Sequence, residues 1–278
     1  FQYMDDFLSK QIVALKTEFM RIYKGNSHIH EIIPLSSSDD FPIDDKSLNM
    51  LHKFIANNPI YYNSYELEVL GVPLIVYEGD VNQYWINSIK HDTSYAPFYP
   101  MWMLSSFALA LVSKNLGVKQ IIDIGSGDGR LSYSTQIIDI KSYGIEIDEN
   151  LVMLQNKISK ETRVNFTANL VDATEFDYMS LSLSQPAFFI SGLPEVGEML
   201  ANSVIKKIKF LQDIKKTAII VLTGSHSMRE YSRDKTQWGW GSVIDNFNLK
   251  IIKTITLPTY WTAEQSIDTP FIFAKFSD

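Results

Sequence analysis

Cysteine does not occur among the 278 residues. Disulfides, thiolate nucleophiles and cysteine-ligated zinc are thereby excluded, and the absence suits a reducing, cytoplasmic setting. Long apolar runs are missing too. The most apolar stretch, MWMLSSFALALV at 101–112, is shorter than the ~20 residues a membrane span needs and contains serines. The chain does not open on a basic segment followed by an apolar one, so no signal peptide is expected. Positive charge is in deficit, with 25 Lys plus Arg against 32 Asp plus Glu, a net charge of −7 and a pI near 5.3. A broad surface that tracks phosphates is therefore not expected, and nucleic acid is a disfavoured partner. There is no internal repeat or low-complexity tract, which removes solenoids and coiled coils.

The remaining composition is that of an ordinary globular protein, 45% hydrophobic and 21% charged, and its length allows one large domain or two smaller ones. Two are expected, divided near residue 92. In the first, Leu8, Ile12, Leu15, Phe19 and Ile22 recur at spacings of four and three. They define one face of a long helix that Gly25 and Asn26 stop. SHIHEII follows, with His28, His30 and Glu31. These read as residues of a solvated segment past the helix end, and no metal is expected there. A second helix is predicted at about 47–57, ended by Asn58 and Pro59, and a β-hairpin turns at Gly71. The aromatic, proline-bearing segment HDTSYAPFYPMW, which either packs the two parts together or covers a ligand, leads into an apolar helix at 101–115.

From residue 118 strands and helices alternate, which predicts a mostly parallel sheet covered on both faces. The last two strands, LKIIKTITL and PFIFAKF, have no helix between them and read as an antiparallel pair at the sheet edge. TQWGWG at 236–241 reads as a loop anchored by its tryptophans. The lysines at 206–209 and 215–216 read as a solvated helix face.

The chemistry concentrates in IIDIGSGDGRL at 121–131. Three β-branched residues form a buried strand, and Gly125, Gly127 and Gly129 then allow a ligand to approach the backbone before a helix begins. Such a loop lies at the carboxyl ends of parallel strands, where open α/β sheets bind ligands. Glu146 ends the next strand, suitably placed to accept hydrogen bonds from ribose hydroxyls. A nicotinamide dinucleotide and a phosphate-free nucleoside satisfy these features equally. The glycine spacing separates them, because the dinucleotide fingerprint requires glycine where this chain has Arg130. Asp123 and Asp128 would also repel a pyrophosphate. S-adenosylmethionine (SAM) has no phosphate and carries a sulfonium and an ammonium, so neighbouring carboxylates favour it.

IIDIGSGDGRL resembles motif I of the class I SAM-dependent methyltransferases, GIEID resembles their motif II, and NLVDATEF resembles the segment after their third strand. The resemblance covers about 95–278. It is nearest to small protein-lysine methyltransferases whose motif I also reads GSGDGR, which share a Tyr- and Pro-bearing segment like SYAPFYP and an apolar strand followed by Gly-x-Pro, as in FFISGLPEV. It implies an α/β fold with a seven-stranded, mostly parallel sheet whose last strand is antiparallel, preceded by a smaller helical and β-hairpin domain. It further implies SAM as cofactor, held by Asp123, Gly125, Ser126, Gly127, Asp128, Glu146, Ile147, Asp172, Ala173 and Ser191. Asp172 would meet the adenine amino group and Ala173 would offer its amide to the ring. SGLPEV departs from the Asn- or Asp-Pro-Pro-aromatic motif of enzymes that methylate planar nitrogens. Adenine, cytosine and glutamine are thus disfavoured as acceptors, while amines, including a protein lysine, hydroxyls and small molecules stay open. Tyr95, Tyr99 and Glu195 carry groups able to accept an amine and help it lose its proton. An NAD(P)-dependent oxidoreductase and a noncatalytic interaction protein built on the SAM fold are the alternatives.

Overall fold

A computed structural model of the chain describes residues 2–82, 84–86, 96–98, 100–190, 194–223, 240–258 and 269–278. The first helix, α1 (Gln2–Ile22), buries Leu8, Ile12, Leu15 and Phe19 as the spacing predicts. It ends before Gly25. The next element is a strand, β1 (Ile29–Pro34), every residue of which is buried. This corrects the expectation of a solvated segment. β1 pairs antiparallel with β3, from Ile29 opposite Gly79 to Pro34 opposite Leu74. His30 lies among aromatic rings, its centroid 5.1 Å from Phe19 and 5.8 Å from Trp102. Burial pushes its imidazole down to about 4, so it is neutral at physiological pH.

Helix α2 (Asp45–Ala56) starts where Asp44 accepts the Ser47 amide at 2.7 Å. The hairpin follows as β2 (Tyr61–Val69) and β3 (Val72–Gly79), turning through Leu70 and Gly71 at positive φ. With β1 it makes a three-stranded sheet of order β1-β3-β2. Within the aromatic segment, β5 (Ala96–Pro97) forms a short antiparallel pair with the preceding β4 (Trp85–Ile86). The domain boundary expected near 92 lies outside the described residues.

Helix α3 (Met103–Asn115) precedes the alternating part of the chain: β6 (Gln120–Ile124), α4 (Arg130–Gln136), β7 (Lys141–Glu146), α5 (Glu149–Thr162), β8 (Ala168–Leu170), β9 (Pro186–Ile190), α6 (Pro194–Lys209), α7 (Gln212–Lys215), β10 (Ile219–Leu222), α8 (Gly241–Asn246), β11 (Leu249–Leu257) and β12 (Thr269–Phe276). Strand β8 begins later than VNFTAN suggests. Residues 164–166 are tied to α5 instead, with Ser159 Oγ donating to the Val164 carbonyl at 2.7 Å. The sheet has the order β11-β12-β10-β9-β6-β7-β8. β6 runs parallel to both β7 and β9, and β12 runs antiparallel to both β10 and β11. The last two strands do pair at the edge as expected, with β12 inserted on the inner side.

Period-two alternation divides the sheet between two cores. Ile121, Phe189, Val221 and Phe273 face a hydrophobic cluster that continues through α3 and α4 to Leu8 of α1 and to β1. Ile122, Phe188, Ile220 and Ile272 face the other, which includes Ala201, Val204 and Ile208 of α6 and Val243 of α8. The amino-terminal elements thus share the core of one sheet face. Asp5 of α1 accepts from Asn115 at the end of α3 at 2.9 Å and lies 3.6 Å from Lys253 of β11. The chain proceeds from β6 to β7 on one side and returns to β9 on the other. The carboxyl end of β6 is therefore the switch point at which open α/β sheets form their crevice.

Candidate functional site

The loop leaving β6 adopts the left-handed region at Gly125, Gly127 and Gly129, with φ of 79°, 59° and 83°. Its amides are directed inward. Gly125 and Ser126 donate to the Ile145 carbonyl at 2.9 and 3.0 Å, Gly127 to Glu146 Oε1 at 2.8 Å, and Gly129 to the Ser126 carbonyl at 2.9 Å. The Arg130 amide reaches Asp128 Oδ1 at 3.3 Å. Gln155 of α5 secures the loop from below, donating to Ser126 Oγ and to the Gly127 carbonyl, both at 2.8 Å. From the other side Phe98 packs on Gly127 so closely that a Cβ there would overlap its ring.

Gly127→Ala should therefore combine left-handed strain of about 1–2 kcal/mol with displacement of Phe98. A lowered thermal midpoint is expected, together with weaker SAM binding. Adding Phe98→Ala should recover the part due to overlap and leave the backbone part, a split that a thermal-melt double-mutant cycle measures. Strict additivity of the two changes would contradict the contact.

Two carboxylates flank the loop. Glu146 is buried and accepts the Gly127 amide on Oε1 and the Ile147 and Asp148 amides on Oε2 at 2.9 and 3.1 Å. A carboxylate has room for about four donors, so Oε1 can accept one more. Burial raises its pKa to about 7, against the pull of those amides. Asp123, at the end of β6, is 3% exposed. Burial raises it to about 8, and the negative charges of Glu146 and Asp128 add to the shift. Among the described residues it has no cation beside it. Further along, Asp172 Oδ1 accepts the Thr174 amide and hydroxyl at 2.9 and 2.7 Å, which fixes the carboxylate and leaves Oδ2 open. Ala173 is buried, its carbonyl accepting from the Tyr178 hydroxyl at 3.0 Å.

Asp128 occupies a different place from the one expected. It is 1% exposed and turned away from Asp123 toward the amino-terminal elements, bonded to Arg130 Nη2 at 2.6 Å and Asn58 Nδ2 at 3.0 Å. Of the other residues expected in the site, Tyr95, Tyr99 and Ser191 lie outside the described residues. Glu195 is placed only as part of the α6 backbone. Asp123, Gly125, Ser126, Gly127, Glu146 and Ile147 come together at the loop.

Sequence reasoning missed four contributors: Gln155, Phe98, Arg130 as an ion-pair partner, and Glu31. Three of them carried a signal. Gln155 stands on the buried stripe of α5 between Leu154 and Ile158, where an apolar residue belongs. Arg130 opens a helix whose residues 130–135 are all buried. Glu31 is a carboxylate inside a β-branched run, and a buried carboxylate requires a partner. TQWGWG behaves as expected at Trp240, which is fully buried with its indole N–H on the Thr223 carbonyl. Trp238 lies outside the described residues.

The strand order, with an antiparallel strand inserted before the edge, defines an α/β fold of the class I methyltransferase type. No family model matches the chain, and no curated protein matches it. Among solved structures it is similar to a SAM-dependent methyltransferase from Clostridium acetobutylicum, with 8% identity over 68% of this chain and 95% of that one at a TM-score of 0.45. It is also similar to magnesium protoporphyrin IX methyltransferase from Synechocystis with bound SAM, with 17% identity over 63% of this chain and 78% of that one at a TM-score of 0.44.

Proposed function

We propose that the protein is a SAM-dependent methyltransferase whose acceptor is an amine, a protein lysine being one such group. The observation that carries this reading is the fate of the loop amides. Those of Gly125, Ser126, Gly127, Gly129 and Arg130 all donate to protein acceptors, so these five are not available to cradle a pyrophosphate. It offers a buried carboxylate at Asp123 instead, suited to a cation. The remaining lone pair on Glu146 Oε1 suits a ribose hydroxyl, and the open Oδ2 of Asp172 suits an amino group on a purine.

When bound, SAM supplies an electrophilic methyl group on a sulfonium. The chain's own part is to position and to exclude water. Phe98 covers one side of the loop at Gly127, Gln155 braces the other, and Asp123 counters positive charge. An amine acceptor must arrive unprotonated along the line of the departing sulfur. Tyr95, Tyr99 and Glu195 are the groups proposed to accept its proton. Cytoplasmic location is proposed on the absence of cysteine. No helix among the described residues is long and apolar enough to cross a membrane.

Isothermal titration with SAM and with NAD is the direct test. Micromolar binding of SAM is expected, about −8 kcal/mol, with no heat from NAD. The opposite pattern would return the oxidoreductase. SAM binding with no S-adenosylhomocysteine formed against fractionated cell extract would leave a noncatalytic binding protein.

A further inference from the structure

We propose that Glu31 and Arg130 act as a positioning pair that holds the glycine loop and the start of α3 opposite each other, so that cofactor affinity depends on a residue of the amino-terminal sheet. This rests on the methyltransferase reading and deepens it. Arg130 binds Asp128 through Nε, to Oδ1 at 3.0 Å and Oδ2 at 3.2 Å, and through Nη2 to Oδ2 at 2.6 Å. It binds Glu31 Oε1 through Nη1 at 2.6 Å, and Nη2 donates to the Tyr61 hydroxyl at 2.9 Å. Nη1 also donates to the Met101 carbonyl. Glu31 Oε2 accepts the Met103 amide at 2.9 Å, and Oε1 accepts from the Tyr61 hydroxyl at 3.0 Å. The guanidinium lies 5.9 Å above the Phe54 ring.

The connectivity is what matters. Through Asp128 the pair grips the loop, and through Met101 and Met103 it grips the start of α3, whose own N-cap residue Trp102 provides no side-chain cap. Phe98, just before that start, rests on Gly127. Both walls beside the loop are thus referred to one buried guanidinium. Apolar side chains of similar volume could fill the space at comparable stability, but they could not fix two backbone segments and a carboxylate in register. The cluster contains two carboxylates and one guanidinium.

Glu31→Gln and Arg130→Lys test the pair, with Tyr61→Phe as a milder variant should either fail to fold. Each is titrated with SAM and melted without it, and backbone hydrogen exchange is followed in the cofactor-free protein. Glu31→Gln and Arg130→Lys are expected to weaken SAM binding by at least about tenfold and Tyr61→Phe by about threefold. Exchange should quicken at 100–103 and 125–130 while the β10 amides at 219–222 keep their rates. Ile208→Ala, in the core on the other face of the sheet, should lower the melting midpoint and leave SAM affinity unchanged. Folded variants with wild-type affinity and unchanged exchange at the two segments would overturn the proposal. Wild-type protein that fails to bind SAM would overturn the methyltransferase reading instead, and the exchange experiment would still decide whether the pair holds the two segments.

Discussion

Replacing Glu146 by alanine is expected to weaken SAM binding by about a hundredfold or more, equivalent to about 3 kcal/mol. The carboxylate serves two purposes. It satisfies the Gly127, Ile147 and Asp148 amides, and under the proposed function it accepts a ribose hydroxyl on the free side of Oε1. Alanine removes both, leaving buried donors without partners next to a loop that depends on the Gly127 bond for its left-handed course. Glu146→Gln separates the purposes. The amide oxygen can still accept from Gly127 and from a hydroxyl, but the NH2 group is a donor facing the Ile147 and Asp148 amides. Gln is therefore expected to fall between wild type and Ala in affinity while losing nearly as much thermal stability as Ala. Titration calorimetry and thermal melts on the three proteins measure both quantities. Wild-type affinity in the alanine variant would remove Glu146 from the site.

Much of this site was legible in advance because its determinants are local. A strand, a glycine turn and a helix start are encoded within 121–131, and the left-handed φ at each of the three glycines realises what their missing side chains permit. Glu146 was found because strand spacing places it. The parts that were not legible are long-range. Glu31 and Arg130 meet across 99 positions, and Asn58 reaches Asp128 across 70. SHIHEII read as solvated because two histidines and a glutamate look polar. Burial is possible only because β3 pairs the backbone, aromatic rings surround His30, and Arg130 neutralises Glu31. Asp128 shows the converse error. Its charge was read as hostile to a pyrophosphate, but its partner Arg130, two residues away, was read only as a missing glycine. The argument against a diphosphate now stands on the loop amides and on Asp123.

SAM affinity is also expected to rise with pH up to about 8, by about tenfold per unit for each proton released on binding. Burial lifts Asp123 from the ordinary 3.8 to about 8 and Glu146 from 4.5 to about 7. The charges facing them, Glu146 and Asp128 for Asp123 and Asp148 for Glu146, push the same way. In the cofactor-free protein both groups are therefore largely protonated at pH 6, whereas in the unfolded chain they are ionised. The folded state holds the extra protons. Its intrinsic stability is fully present below the unfolded pKa values near 4 and is lost as pH rises through about 7 and then about 8. A sulfonium and an ammonium beside Asp123 reverse the preference by favouring its ionised form, so binding expels a proton. The stabilisation SAM confers should consequently grow over the range in which the cofactor-free protein weakens. Titrations at pH 6.5 in buffers of different ionisation enthalpy count the protons directly, and melts with and without SAM across the same range follow the widening gap. Asp123→Asn should bind more weakly at pH 7, release fewer protons, and make the cofactor-free protein less sensitive to alkali. A pH-independent dissociation constant in the wild type, with no proton released, would mean that SAM binding does not draw a proton from Asp123.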